Sequence, residues 1–126
     1  SRLYECINAT EILTAKGLST TVVDARFCKP LDTKLIKQLA LEHETLITVE
    51  DGSIGGFASH VTKFLSNQSL LDGALKFRSL FFPDVFLPHG KPEEQYEEAN
   101  LMSKDIVHCA LQTLSNNYLK KEIDLL

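Results

Sequence analysis

The spacing of apolar residues along the chain predicts helices that alternate with short strands. Two of the helices have a clear signal at one terminus: Gly17 closes the end of the first, and Asp32 caps the start of the second. The first predicted helix covers residues 2–16, and the second follows Asp32 with its apolar stripe at Leu35, Ile36, Leu39 and Ala40. The third has Phe57, Val61, Phe64 and Leu65 on one side, and an acidic helix follows the last strand. Ser103 caps the final helix, which buries Ile106, Val107, Ala110, Leu111 and Leu114. Apolar and β-branched runs predict buried strands at 20–25, 46–49 and 77–82.

The order of these elements predicts an α/β fold in three layers, α/β/α, with a mainly parallel sheet. Strands that alternate with helices pair through right-handed crossovers, so helices lie on both faces of the sheet. Three strands make a thin sheet, and a helix opens the chain where the alternation requires a strand. These features, and a start at Ser1 without an initiator Met, predict that a first strand is missing and that the chain is cut from a longer protein.

Size and composition fit one globular domain. The chain has 126 residues, 44% hydrophobic and 24% charged, and we assign residues 1–116 to the domain and 117–126 to a C-terminal tail. No apolar stretch approaches the roughly 18 residues of a membrane-spanning helix. The net charge is −4 and the basic residues are scattered, so neither a membrane nor a nucleic acid is an expected partner.

The cysteines and the acidic run do not have the pattern of a metal site. Cys6, Cys28 and Cys109 are far apart and odd in number, which is typical of free thiols in a reducing compartment. Cys28 lies next to Lys29, but a structural thiol explains it more simply than an activated one. No Cys or His pair has zinc-finger spacing, and the acidic run at 93–98 lacks the turn glycine of a calcium loop, which favours a solvated helix face.

The strongest local signal for a functional site is the turn from Glu50 to Phe57. A strand ends there, the carboxylates of Glu50 and Asp51 follow, and glycines lead into a helix. A helix N-terminus can bind an anion, but the spacing matches neither the dinucleotide nor the Walker pattern, and the carboxylates would repel a phosphate. Two interpretations stay open: the glycines allow a tight turn and close packing while a carboxylate caps the helix, or the turn contacts a ligand or another subunit.

The histidines and serines do not form a complete catalytic set. His60 lies one turn into a helix, where an ordinary neutral side chain is the default and proton transfer or substrate binding is the alternative. His89 lies in a rigid turn between prolines, where its imidazole could face a partner. His43 and His108 fit ordinary helix-surface positions, and Ser53 has neither a neighbouring base nor the surroundings of a nucleophile elbow.

Four segments of the chain carry a resemblance to a known family. They are Val23–Asp32, Glu50–Val61, Leu70–Gly73 and Leu80–Gly90, which occur in the order of successive strand–helix units. Together they resemble the C-terminal domains of transketolases and, more narrowly, those of plant 1-deoxy-D-xylulose-5-phosphate synthases. The similarity extends from about Val22 to Leu114, which is most of the chain.

The resemblance implies a transferase that depends on thiamine diphosphate and Mg²⁺. The family condenses pyruvate with glyceraldehyde 3-phosphate, with loss of CO₂, in the chloroplast stroma, at the entry to isoprenoid and thiamine synthesis. Its cofactor-binding Gly-Asp-Gly motif and its activating glutamate belong to the N-terminal and middle domains, and neither occurs in this chain. The resemblance therefore implies no catalytic residue, no cofactor and no metal ligand here, and predicts that the chain alone is inactive.

The resemblance gives the C-terminal domain a supporting part in the enzyme. Its partners would be the missing N-terminal and middle domains and the second subunit of a homodimer. The residues that we expect at an interdomain or dimer contact are Glu50, Asp51, Gly52, Ser53, Gly55, Gly56, His60 and His89.

Departures from the family pattern leave other possibilities open. Residues 83–90 read Pro-Asp-Val-Phe-Leu-Pro-His-Gly where plant relatives commonly read Pro-Asp-Arg-Tyr-Ile-Asp-His-Gly, and Asn100 replaces a usual glycine, which indicates a divergent isoform. One alternative is a stand-alone, non-catalytic α/β interaction or regulatory module, and another is a small anion- or nucleotide-binding protein that uses the Gly52–Gly56 turn. A missing strand would also leave an exposed sheet edge, which predicts self-association.

Overall fold

The computed structural model describes residues 3–25, 30–51, 56–82 and 102–115. The elements in chain order are α1 (Leu3–Ala15), α2 (Thr33–Glu42), β1 (Thr45–Asp51), α3 (Phe57–Asn67) and β2 (Lys76–Phe82), followed by α4 at residues 102–115. β1 and β2 pair in parallel, with Thr45 opposite Lys76 and Asp51 opposite Phe82. Parallel neighbours need a crossover, and α3 provides it. The α/β class is therefore as predicted.

The two faces of the sheet pack against two separate apolar clusters. Ile47 and Val49 face α1 and α4, whereas Leu46 faces α2 and α3, because successive side chains of a strand point to opposite faces. The buried residues of the first cluster are Ala9, Leu13, Phe82, Met102, Ile106, Val107 and Ala110. Those of the second cluster are Ile36, Ala40, Val61 and Leu65. Helices thus cover both faces, which confirms the three-layer arrangement.

The ends of α1 and α2 follow their sequence signals. Asp32 accepts a hydrogen bond from the N–H of Leu35 (3.1 Å) and so caps α2. At the end of α1, Gly17 takes a φ of +85° and Leu18 donates its N–H to the carbonyl of Leu13 (3.0 Å). This is the Schellman turn that a C-terminal glycine favours.

The predicted strand at residues 20–25 is wrong. Residues 18–25 form no ladder with any described residue, and Val23 is 39% exposed rather than buried. A β-branched run has strand propensity, but a strand forms only where a neighbour pairs its N–H and C=O groups. The described chain therefore has two strands instead of three, and its order begins helix, helix, strand.

The final helix begins earlier than predicted. Met102 is already helical, and Ser103 lies completely buried within the helix instead of capping it. The reason is that Met102 continues the buried stripe of Ile106 and Ala110 at intervals of four residues. None of the helices in the described ranges is long and apolar enough to cross a membrane.

Several predictions fall outside the described residues. They concern Cys28, the turn at residues 83–90, the acidic helix with its run at 93–98, Asn100 and the tail at 117–126.

Candidate functional site

The end of β1 and the start of α3 meet at the buried carboxylate of Glu50. Its Oε2 accepts a hydrogen bond from the backbone N–H of Ala58 (2.7 Å), and the residue is only 8% exposed. Ala58 is the second residue of α3, and the N-cap position is Gly56, which has no side chain to serve as a cap. Glu50 therefore caps α3 from the neighbouring strand, with its charge at the positive end of the helix dipole. The interpretation in which a carboxylate caps this helix is confirmed.

Glu50 also stands where an external anion would bind. Its second oxygen, Oε1, is buried and has no hydrogen-bond partner among the described residues. A phosphate at this helix end would compete with Oε2 for the Ala58 N–H and would lie beside a negative charge. The geometry therefore disfavours the anion-binding alternative.

Gly56 is required by its backbone conformation rather than by close packing. It takes φ +106° and ψ −20°, where side chains are strained. A Cβ added to it would meet no neighbouring atom of the described structure within 4 Å. The tight turn is as expected, but the expected close packing of helix on sheet at this glycine is wrong.

The other predicted contact residues divide between the described and the undescribed parts of the chain. Asp51 is half-buried as the last residue of β1. His60 is exposed in the first turn of α3, and its backbone N–H donates to the carbonyl of Gly56 (3.0 Å). The structure thus brings Glu50, Asp51, Gly56 and His60 to one end of the sheet. Gly52, Ser53, Gly55 and His89 lie outside the described residues.

His43 makes a contact that sequence reasoning missed. Its Nδ1 lies 2.9 Å from the carbonyl of Leu39, and its Nε2 lies 3.1 Å from Oγ1 of Thr21. A carbonyl oxygen only accepts, so Nδ1 is the donor in the first bond. The half-buried imidazole joins the end of α2 to the segment after α1, and the predicted ordinary surface position is wrong. No local signal reveals a partner 22 residues away.

The two described cysteines are free thiols. Burial raises the pKa of Cys6 to about 11, and the negative charge of Glu5 adds to the effect. Because the thiolate is the nucleophile, such a thiol reacts slowly near neutral pH.

An open groove of about 570 Å³ lies between α3 and β2, and the sequence did not predict it. Small and polar side chains of α3, among them Ala58, Thr62 and Ser66, form one wall, and Ser79 and Phe81 of β2 form the other. Phe81 is 51% exposed. A groove this open does not enclose a small molecule.

The described residues do not fit a thiamine diphosphate or Mg²⁺ site. Within residues 3–25, 30–51, 56–82 and 102–115, no three His, Cys, Asp or Glu side chains come together as a possible metal site. Of the two Asp-Gly pairs, one includes Asp72, which is exposed in the turn after α3. The other includes Asp51, beside a helix end that Glu50 already occupies. We therefore assign the cofactor no residue in this part of the chain.

The parallel β1–α3–β2 unit with helices on both faces defines an α/β domain. Comparison with known proteins leads to the same class of domain. The chain belongs to the family described as the transketolase C-terminal domain, whose model matches residues 1–106. It is 56% identical over 109 residues to the probable 1-deoxy-D-xylulose-5-phosphate synthase 2, chloroplastic, of Oryza sativa subsp. japonica. That match covers 86% of this chain but only 15% of the rice protein, so the chain spans a small part of its relative.

Proposed function

We propose that the chain is the C-terminal domain of a thiamine-diphosphate-dependent 1-deoxy-D-xylulose-5-phosphate synthase of the chloroplast. The observation that carries the proposal is the 56% identity over 109 residues with the rice protein. The parent enzyme would condense pyruvate with glyceraldehyde 3-phosphate, with loss of CO₂, for isoprenoid and thiamine synthesis. The cofactors would be held by domains outside this chain.

In that enzyme the domain would support the fold and the homodimer rather than carry out the chemistry. The Glu50 carboxylate fixes the start of α3, and the exposed His60 lies on the first turn of that helix. A rigid helix start with an exposed imidazole suits a contact with a catalytic domain or a second subunit. The proposed contact comprises Glu50, Asp51, Gly52, Ser53, Gly55, Gly56, His60 and His89.

A second candidate is a stand-alone, non-catalytic interaction or regulatory module derived from this domain. Apolar clusters close both faces of the sheet within the described residues, as an independent unit would require. The coding sequence around this segment distinguishes the candidates. Two thiamine-binding domains and an apolar strand upstream support the enzyme, whereas a native start immediately before Ser1 supports the module.

A domain exchange tests the proposed role directly. The matching 109-residue segment of the rice synthase is replaced with that of this chain, and formation of 1-deoxy-D-xylulose 5-phosphate is measured with both substrates, thiamine diphosphate and Mg²⁺. We expect the chimera to form product, and the rice protein lacking the segment and this chain alone to form none. A folded but inactive chimera would contradict the proposal, and turnover by this chain alone would contradict the supporting role.

A further inference from the structure

Within the described residues, β2 pairs on one side only, with β1, and its outer edge carries unpaired backbone groups. Lys76 donates its N–H to the carbonyl of Glu44, on the β1 side (3.0 Å). In a parallel ladder, alternate residues of a strand direct both backbone groups to the same side. Phe77, Ser79 and Phe81 therefore direct their N–H and C=O groups away from β1. Such groups are a template for strands of other molecules.

The side chain of Arg78 covers part of this edge. Its Nη1 donates a hydrogen bond to the outward carbonyl of Phe77 (2.8 Å), and Arg78 itself is exposed. A guanidinium donates hydrogen bonds, accepts none and stays charged. A strand that approaches this edge therefore meets a charged donor where it needs a free acceptor. Pairing would break the bond from Arg78 to Phe77 and would remove water from the charge.

The second charged residue of β2 does not protect the edge. Lys76 is half-buried, and its Nζ donates to the carbonyl of Thr113 in α4 (3.1 Å). The remaining residues of the strand are Phe77 and the run Ser-Leu-Phe-Phe at 79–82, and Phe81 is 51% exposed. Without Arg78, residues 77–82 would form an uncharged, aromatic segment without proline. That composition is typical of segments that aggregate through strand pairing.

We infer that Arg78 protects the outer edge of β2 from strand pairing with other copies of the chain. The guanidinium occupies the outward acceptor of Phe77 and holds a charge that a paired strand would bury. The inference uses only the geometry of β2, so it does not rest on the proposed role in the synthase. It assigns an exposed arginine the task of keeping the folded chains apart.

Removal of the charge at position 78 tests this role. Arg78→Gln has a shorter polar side chain without the charge, and Lys104→Gln removes one positive charge from an exposed position of α4. Both variants make the net charge more negative by the same amount, which by itself opposes association. We expect sedimentation in a concentration series to give Arg78→Gln an association constant about fivefold or more above that of the parent, with unchanged circular dichroism.

Two controls define the result. Lys104→Gln and Arg78→Lys, which keeps a charge on the edge, should stay within about twofold of the parent. Every variant is compared with the parent chain, so association through the other edge of the sheet affects all of them alike. Equal association of Arg78→Gln and Lys104→Gln would overturn the inference.

A second substitution tests where the association occurs. Ser79→Pro, added to Arg78→Gln, removes an outward N–H and no ladder bond to β1, so association should return to the level of the parent. Association that persists in this double variant uses another surface and would also overturn the inference. If Arg78→Gln does not fold, Arg78→Thr takes its place, because threonine favours strands and carries no charge. The same expected and contrary results apply to it.

Discussion

Gly56 stands where α3 begins, with a φ of +106° that residues other than glycine rarely adopt. A Cβ at this position would meet no described atom beyond its neighbours within 4 Å, so backbone strain is the main cost of a substitution. We expect Gly56→Ala to lower the free energy of unfolding by about 1–2 kcal/mol, measured by urea denaturation.

Gly73→Ala is the matched control for this strain. Gly73 also has open space around its Cα, but its φ is not positive. Its substitution should change the free energy of unfolding by less than about 0.5 kcal/mol. If both variants lose the same amount, the positive φ at Gly56 is not the cause.

Cys6 makes stability depend on pH in the alkaline range. Burial, with a contribution from Glu5, raises the pKa of its thiol from 9.0 to about 11. Between these values the unfolded thiol loses its proton while the folded thiol keeps it. The contribution of Cys6 to the free energy of unfolding is therefore complete below about pH 9 and is lost as the pH rises towards about 11.

We expect the parent chain to lose more stability than Cys6→Ala between about pH 8.5 and about pH 10.5, which is roughly the range that the two pKa values set. The measurement is the urea midpoint of each protein at both pH values, and the difference between the two proteins should change with pH. Comparing the two proteins removes the effect of other groups that titrate in this range. Cys109→Ala serves as a control that keeps Cys6. Parallel loss of stability in the parent and Cys6→Ala would contradict the assignment.

Among the elements, the bond between Glu50 and Ala58 links the end of β1 to the start of α3. Glu50→Ala leaves a helix N–H without its acceptor and removes the charge at the dipole, so we expect a loss of about 2 kcal/mol in the free energy of unfolding. Glu50→Gln keeps an acceptor and removes only the charge, for an expected loss of about 1 kcal/mol. Thermal and urea denaturation measure both. Equal losses in the two variants would show that the hydrogen bond itself contributes nothing.

Ser69 ends α3 in a conformation that suits glycine better. Its φ is +59°, and the N–H of Leu70 donates across it to the carbonyl of Leu65 (2.9 Å). Ser69→Gly should therefore raise the free energy of unfolding by about 0.5–1 kcal/mol. Ser66→Gly, one turn earlier inside the helix, should lower it. Stabilisation by both changes, or by neither, would contradict this account of the helix end.

The range of an interaction determines whether the sequence predicts an element. Gly17 and Asp32 act within one helical turn, so the ends of α1 and α2 follow from local signals. A strand depends on a neighbour from elsewhere in the chain, which is why the β-branched run at 20–25 misled the prediction.

The candidate site shows the same limit. The sequence places two carboxylates before α3, but only the fold shows that Glu50 is the one that reaches Ala58. The contact of His43 with Thr21 and the exposure of Phe81 beside the groove depend on how elements pack. Periodicity within one element carries no information on either.

For the molecule as a whole, the two apolar clusters share one thin sheet. Leu46 belongs with the second cluster, and its neighbour Ile47 belongs with the first. Loss of packing on one face therefore removes support from the strand that the other face needs. This arrangement predicts that α1 and α3, on opposite faces, unfold in one cooperative transition.

Leu65→Ala tests this coupling, because Leu65 is completely buried in the second cluster. We expect a loss of about 3 kcal/mol in the free energy of unfolding, since a cavity replaces a buried side chain. Leu41→Ala, at a position that is 67% exposed, should cost less than about 0.5 kcal/mol. Hydrogen exchange read by mass spectrometry should show peptides of α1 losing protection together with those of α3, although Leu65 lies on the face away from α1. If α1 keeps its protection while α3 loses it, the two faces are stabilised independently.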